Sequence, residues 1–231
     1  MREFYPKRLF RIIPIYLFVV GRYFLIPFFR EKEALPPYRK FLTYTQNFNL
    51  DAANGGTFSH VWSLCVEEHF YLFLPVTLLF FVKVGFKYSY LMLIGVFLLG
   101  FFTRLYGWNT FIDEAPSAIS PINRWLEIVY YPTYNRFDGL LVGLAIAAFY
   151  NYDPKIVKKV SNYGNSLIFI EIIVLSGAYI FASEDMAFST TIFGFPLISI
   201  GFGFVLLSAI SSSIFLYRWK IKSSTLIASL S

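Results

Sequence analysis

HVWSLCVEEHFYLFLPVTLLFFV, residues 60–82, decides how this chain is read. As a helix it rises about 34 Å at 1.5 Å per residue, enough to cross a hydrocarbon core of about 30 Å. It also carries Glu67 and Glu68 side by side. A carboxylate at membrane depth costs about 2.5 kcal/mol or more unless it is paired, protonated or wet, so two adjacent ones need a polar interior and mark a candidate functional site. Helical spacing puts His60, Ser63, Glu67 and Tyr71 on one stripe and Val61, Cys65, Glu68 and Leu72 on the next. A base, a hydroxyl and a carboxylate are thereby expected to converge.

The surrounding composition fits that reading. Of 231 residues 57% are hydrophobic and 21% aromatic, with 28 Phe and 17 Tyr, and only 15% are charged. Such a bias excludes an ordinary soluble domain and points to an all-α, multi-pass membrane protein occupying 1–231 as one domain. The net charge of +6 is better explained by membrane topology than by nucleic acid. Gly-rich phosphate loops and CxxC or HxxxH metal spacings are absent from the sequence, so no metal is expected. The single cysteine, Cys65, precludes an intramolecular disulfide.

In chain order, MREFYPKRLFR leads into an apolar run through about Phe29, the first expected helix, broken only by Arg22. A polar stretch follows to Ser59, then the helix at 60–82 with Pro75 inside it. Further helices are expected at about 88–106, 137–152, 166–182 and 192–213, about six in all. The fourth is dense in small residues (Gly139, Gly143, Ala145, Ala147, Ala148) that permit close helix packing. With both termini placed inside, twelve Lys and Arg fall on the inner side and seven on the outer, with Arg22 within a helix. That asymmetry favours cytoplasmic termini.

Three stretches together resemble one family, the acyltransferase-3 type of integral membrane O-acyltransferase. His60, Trp62, Ser63, Leu64, Val66, Glu67, Glu68, Phe70 and Tyr71 match its H-x-W-S-L-x-V-E-E-Q-F-Y signature, with His69 where the family has Gln. Arg8 and Arg11 in KRLFRIIPIY are similar to its R-x-x-R followed by an apolar-Pro-x-Tyr helix. YNRFDGLLVGLAIA, through Arg136, Asp138, Leu140, Leu141 and Gly143, resembles its R-x-D-x-L-L-x-G-x-x-x-A segment. The family's first helix carries a basic residue and, further along, a catalytic His. Neither histidine here has that spacing, since the residues eleven positions before His60 and His69 are Asn49 and Phe58. The chain is therefore expected to begin at the family's third helix and to stop before its last ones, with another polypeptide supplying the missing helices.

The resemblance implies transfer of an acyl group, commonly acetyl, from cytoplasmic acyl-CoA to hydroxyls of a cell-surface glycan such as lipopolysaccharide, exopolysaccharide or peptidoglycan, in the bacterial inner membrane. By the resemblance Arg8 and Arg11 would grip the anionic part of acetyl-CoA, whereas on spacing alone they read first as positive-inside anchors. Glu67, Glu68, His60 and Ser63 are the candidate catalytic groups, with Trp62, Tyr71, Arg136 and Asp138 toward the acceptor. The plainer alternatives are a Glu paired with Arg136 or Arg104 as glue between helices, an interfacial His60, Asp138 as a helix cap, and Glu171 partnered with Arg22. A proton- or cation-coupled transporter and a non-catalytic fragment are the competing functions.

Overall fold

The computed structural model describes residues 4–30, 35–51, 61–113, 120–152, 155, 159–160, 162–184 and 186–211, with backbone only at 4, 86 and 87. Every regular element among them is helical. Helix α1 is Phe4–Leu25, α2 Tyr38–Leu42, α3 Trp62–Val84, α4 Phe86–Gly107, α5 Pro121–Trp125, α6 Asp138–Tyr152, α7 Gly164–Phe181 and α8 Phe195–Ala209. Short π-helical turns at Trp108–Asp113, Leu126–Tyr130 and Thr190–Gly194 extend α4, α5 and the start of α8.

Local sequence sets these limits. Pro27 pushes Ile26 into an extended conformation (φ −122°, ψ 98°), so α1 stops before it. Gly85, at φ 87°, both ends α3 and starts α4, a sharp reversal that a residue with a Cβ adopts only under strain. Pro75 lies inside α3, which runs through it to Val84.

Among the described residues, four stretches are long and apolar enough to cross a membrane: Trp62–Val84, Tyr88–Asp113, Gly164–Phe181 and Thr190–Ala209. The chain is an all-α membrane protein, but its described helices support four spans rather than six. Helix α1 is long enough yet carries Lys7, Arg8, Arg11 and Arg22. Helix α6 has only 15 residues, about 22 Å of rise.

The helices gather into two compact bodies, Met1–Ser89 with Phe102–Phe137, and Tyr90–Phe101 with Asp138–Ser231. In the first, Tyr16, Val20 and Phe41 form a buried cluster on which Val61 and Leu64 pack. The Tyr16 hydroxyl donates to the Phe41 carbonyl (2.9 Å) and accepts from the Gln46 amide (3.1 Å), tying α1 to the chain around α2. In the second body α8 packs closely on α6 and α7. A Cβ at Gly203 would sit 2.5 Å from Val142 Cγ1, so the close approach of α6 depends on glycine there. Glu171 of α7 accepts a hydrogen bond from Ser208 of α8 (2.7 Å), not from Arg22, whose guanidinium lies over the Phe29 ring.

Candidate active site

Within the first body, the start of α1, the turn after α2 and the second and third turns of α3 surround a recess of about 170 Å³, lined by Tyr5, Arg8, Leu9, Thr43, Tyr44, Glu68, His69, Tyr71 and Leu72. Arg8 Nη2 donates to Glu68 Oε1 at 3.0 Å. Glu68 and Tyr71 are three apart on α3 and so share a face, and the Arg8 guanidinium carbon lies 3.1 Å from the Tyr71 ring centroid. The arginine is held by charge on one edge and by the aromatic quadrupole on its face. Its Nε is buried without a hydrogen-bond partner among the described residues, although a buried N–H left unpaired costs about 1–3 kcal/mol. An anionic or carbonyl oxygen in the recess would relieve that cost.

This pairing corrects the sequence reading on two points. Glu68 takes Arg8 as its partner, not Arg104 or Arg136. Moreover, cytoplasmic termini put Arg8 at the inner end of its helix and Glu68 in the outer half of the next one, whereas the ion pair puts the two at one level. The reason is the stagger of α1 on α3. Tyr5 reaches the Leu72 carbonyl (3.0 Å) and Val61 and Leu64 pack near Tyr16 and Val20. The helices are antiparallel, but α3 continues twelve residues, about 18 Å, beyond the level of Tyr5.

Tyr44 supplies a second unsatisfied group. Its hydroxyl is buried with no hydrogen-bond partner among the described residues, while its ring stacks on Tyr16 at 4.5 Å. The backbone at Tyr44 is left-handed (φ 55°), a conformation that costs an aromatic residue of order 1–3 kcal/mol and persists only where its surroundings enforce it. Burial, reinforced by the Glu68 carboxylate, pushes the Tyr44 phenol up to about 12. Strain and an orphan hydroxyl together at one recess are a functional signature that spacing in the sequence does not carry.

Below the recess lies a polar floor. His69 Nδ1 is 2.8 Å from Thr133 Oγ1. The Asn47 amide donates to that same oxygen (2.8 Å) and to the Tyr131 carbonyl (3.0 Å). Asn47 is fully buried and Thr133 is 5% exposed. Asn135 continues the network, donating to the Ile128 carbonyl and accepting from Thr103, while its own carbonyl takes the buried Arg104 (2.6 Å). None of Asn47, Thr133 and Tyr44 was singled out from sequence; the only hint is the amide pair Gln46–Asn47 in an otherwise aromatic stretch.

The remaining candidates separate. Trp62 and Arg136 do meet: the Arg136 guanidinium lies 4.9 Å from the Trp62 ring and 4.1 Å from Tyr130, in a cluster that includes Tyr131. Arg11, Ser63 and Glu67 are exposed, so Ser63 and Glu67 face away from the recess. Asp138 is buried in the first turn of α6, where a carboxylate suits the positive end of the helix dipole. His60 lies outside the described residues. Near these groups but outside the spans, burial raises Tyr134, and it raises Glu127 with help from Asp51 against Arg124 and Lys40.

Two proteins of Staphylococcus aureus, strains COL and N315, each provisionally named an O-acetyltransferase, are 32% identical to the chain over 164 residues, 67% of this chain and 24% of theirs. A Haemophilus influenzae protein named only as uncharacterized is 26% identical over 206 residues, 81% of this chain and 79% of its own length. No family profile and no solved structure matches the chain. The chain spans about a quarter of the length of its S. aureus relatives, and likeness to them is a likeness to proteins named for acetyl transfer.

Proposed function

We propose that the chain takes part in O-acyl transfer in a bacterial inner membrane, with acetyl-CoA as donor and a hydroxyl of a cell-surface glycan as acceptor. The observation that carries this reading is Arg8, clamped by Glu68 and Tyr71 with its buried Nε unpaired, at a recess in a chain similar to proteins named O-acetyltransferases. A guanidinium so oriented suits the phosphate or thioester end of an acyl donor. Acyl transfer also needs a group to take the hydroxyl proton and donors for the oxyanion. The Tyr44 hydroxyl at the same recess is suited to be such a donor. Trp62, Tyr130 and Arg136 offer the aromatic and charged surface on which a sugar ring stacks.

The test is binding of acetyl-CoA to the purified chain in lipid nanodiscs, wild type against an Arg8→Ala, Arg11→Ala variant. Saturable binding that weakens at least about tenfold in the variant, a loss of about 1.4 kcal/mol, supports the reading. Equal binding by both, or none by a folded wild type, refutes it.

A further inference from the structure

We infer that His69 is the proton-transfer group of this recess, with Thr133 and Asn47 as the residues that position it; this rests on the acyl-transfer reading above. His69 lines the recess beside Glu68 and is half-buried. Its Nδ1 is fixed on Thr133, and its ring lies 5.5 Å from that of Phe48. Its Nε2 makes no hydrogen bond to a described residue and is not sealed off by burial. One ring nitrogen is anchored and the other is open.

The anchor suits a group that gains and loses a proton. Asn47 must donate through its amide nitrogen, so Thr133 Oγ1 is an acceptor toward Asn47. That leaves the hydroxyl one lone pair and one hydrogen for His69. With Nε2 bare, Nδ1–H donates to Thr133; when Nε2 takes a proton the same bond persists and the ring does not move. A histidine serving only as a bolt between α3 and the 131–136 segment would need the Nδ1 contact but no open Nε2. The other ionisable groups facing the recess are Arg8, Glu68, Tyr5, Tyr44 and Tyr71, and Glu68 is occupied by Arg8.

In the step proposed, Nε2 removes the acceptor hydroxyl proton while the oxygen bonds to the acyl carbon. The carbon–sulfur bond breaks and its electron pair leaves on sulfur. The imidazolium then returns the proton to the thiolate, giving a free thiol and an ester. With water as acceptor the same step releases acetate and thiol.

The experiment uses the full chain in nanodiscs with acetyl-CoA and water, following thiol release against pH, alongside acetyl-CoA binding. His69→Gln retains a side chain able to bond Thr133. It is expected to lower thiol release at least about 100-fold, the range of acid–base catalysis, with donor affinity within about threefold of wild type and the pH-dependent rise flattened. Thr133→Val is expected to shift the pH midpoint and lower release by a smaller factor. Carbethoxylation of wild-type His69 by diethylpyrocarbonate, read by peptide mass mapping, covers the case in which His69→Gln does not fold. Modification slowed by acetyl-CoA supports the inference; a His69 that resists the reagent, or reacts equally with acetyl-CoA present, overturns it. Thiol release within about threefold of wild type in His69→Gln, with binding intact, overturns it while leaving the acyl-transfer reading standing. Absence of acetyl-CoA binding to the folded wild type overturns both.

Discussion

The Arg8–Glu68 pair can be weighed by a double-mutant cycle. Glu68→Gln keeps the side-chain shape and removes the charge; Arg8→Met keeps much of the stem and removes the guanidinium. The two side chains are 20% and 15% exposed and 3.0 Å apart, so the pair stands between a surface ion pair, worth about 0–1 kcal/mol, and a buried one, where loss of one partner costs about 3–5 kcal/mol. A hydrogen bond to a charged group at that intermediate depth places Glu68→Gln at about 1.5–3 kcal/mol. Arg8→Met also gives up the contact with Tyr71, adding about 0.5–2 kcal/mol. In the double variant neither charge is left stranded, so its cost should fall short of the sum by about 1.5–2.5 kcal/mol. The assay is unfolding in mixed micelles at rising SDS mole fraction, followed by helical circular dichroism. Additivity within about 0.5 kcal/mol would refute the reasoning, because it would mean that the two side chains do not sense each other. Added salt should leave the coupling largely intact, since screening acts weakly on a pair withdrawn from water.

Tyr44→Phe removes a buried hydroxyl that has no partner among the described residues, so it should raise stability by up to about 1–3 kcal/mol while lowering thiol release from acetyl-CoA; reduced stability would argue against the orphan hydroxyl. Because burial raises the Tyr44 phenol to about 12, the folded state holds that proton more tightly than the unfolded one, whose tyrosines titrate near 10. Its contribution to stability is therefore present below pH about 10 and is lost as pH rises toward 12, which ultraviolet titration of wild type against Tyr44→Phe would detect as one late-ionising tyrosine. Asn47→Asp turns the donor facing the Tyr131 carbonyl and Thr133 into an acceptor at unchanged size, and should cost about 2–5 kcal/mol in the same unfolding assay, against which an unchanged midpoint would count. Gly203→Leu should cost at least about 1–3 kcal/mol by forcing α8 away from Val142, outweighing the roughly 1 kcal/mol that leaving glycine gains a helix; a neutral result would show that α6 yields freely.

Helix α3 was legible because apolar runs of its length have few other uses, and the glutamates within it drew attention because lipid penalises them. Which face they take was not. The helix is apolar nearly all round, so periodicity groups Ser63 with Glu67 but does not say whether that stripe or the one through Glu68 turns inward. The structure turns Glu68 inward and leaves Ser63 and Glu67 exposed. Arg8 lies sixty residues from Glu68 and Thr133 sixty-four from His69; such pairings come from how helices stagger, which no local pattern encodes. The aromatic segment before α6 holds Asn135 and Thr133, small polar residues whose importance lies entirely in where the chain folds back. Charge was a partial guide. It placed the first expected membrane helix at α1, whose four basic residues keep it out of the candidate spans, and one of the arginines that suggest a cytoplasmic end, Arg8, serves an ion pair.

The junction between α7 and α8 bears on how the chain reaches the membrane. Thr190 Oγ1 lies 3.0 Å from the Phe181 carbonyl and 2.6 Å from that of Glu184, serving carbonyls that the end of α7 would otherwise leave bare. Farther along, Ser208 covers the Glu171 carboxylate. If α7 entered lipid alone it would carry that carboxylate uncovered, at a cost of about 2.5–3.5 kcal/mol at mid-depth. Entering as a hairpin, the two helices deliver the carboxylate already hydrogen-bonded and the turn already closed. Insertion of the two helices as a pair would avoid that cost.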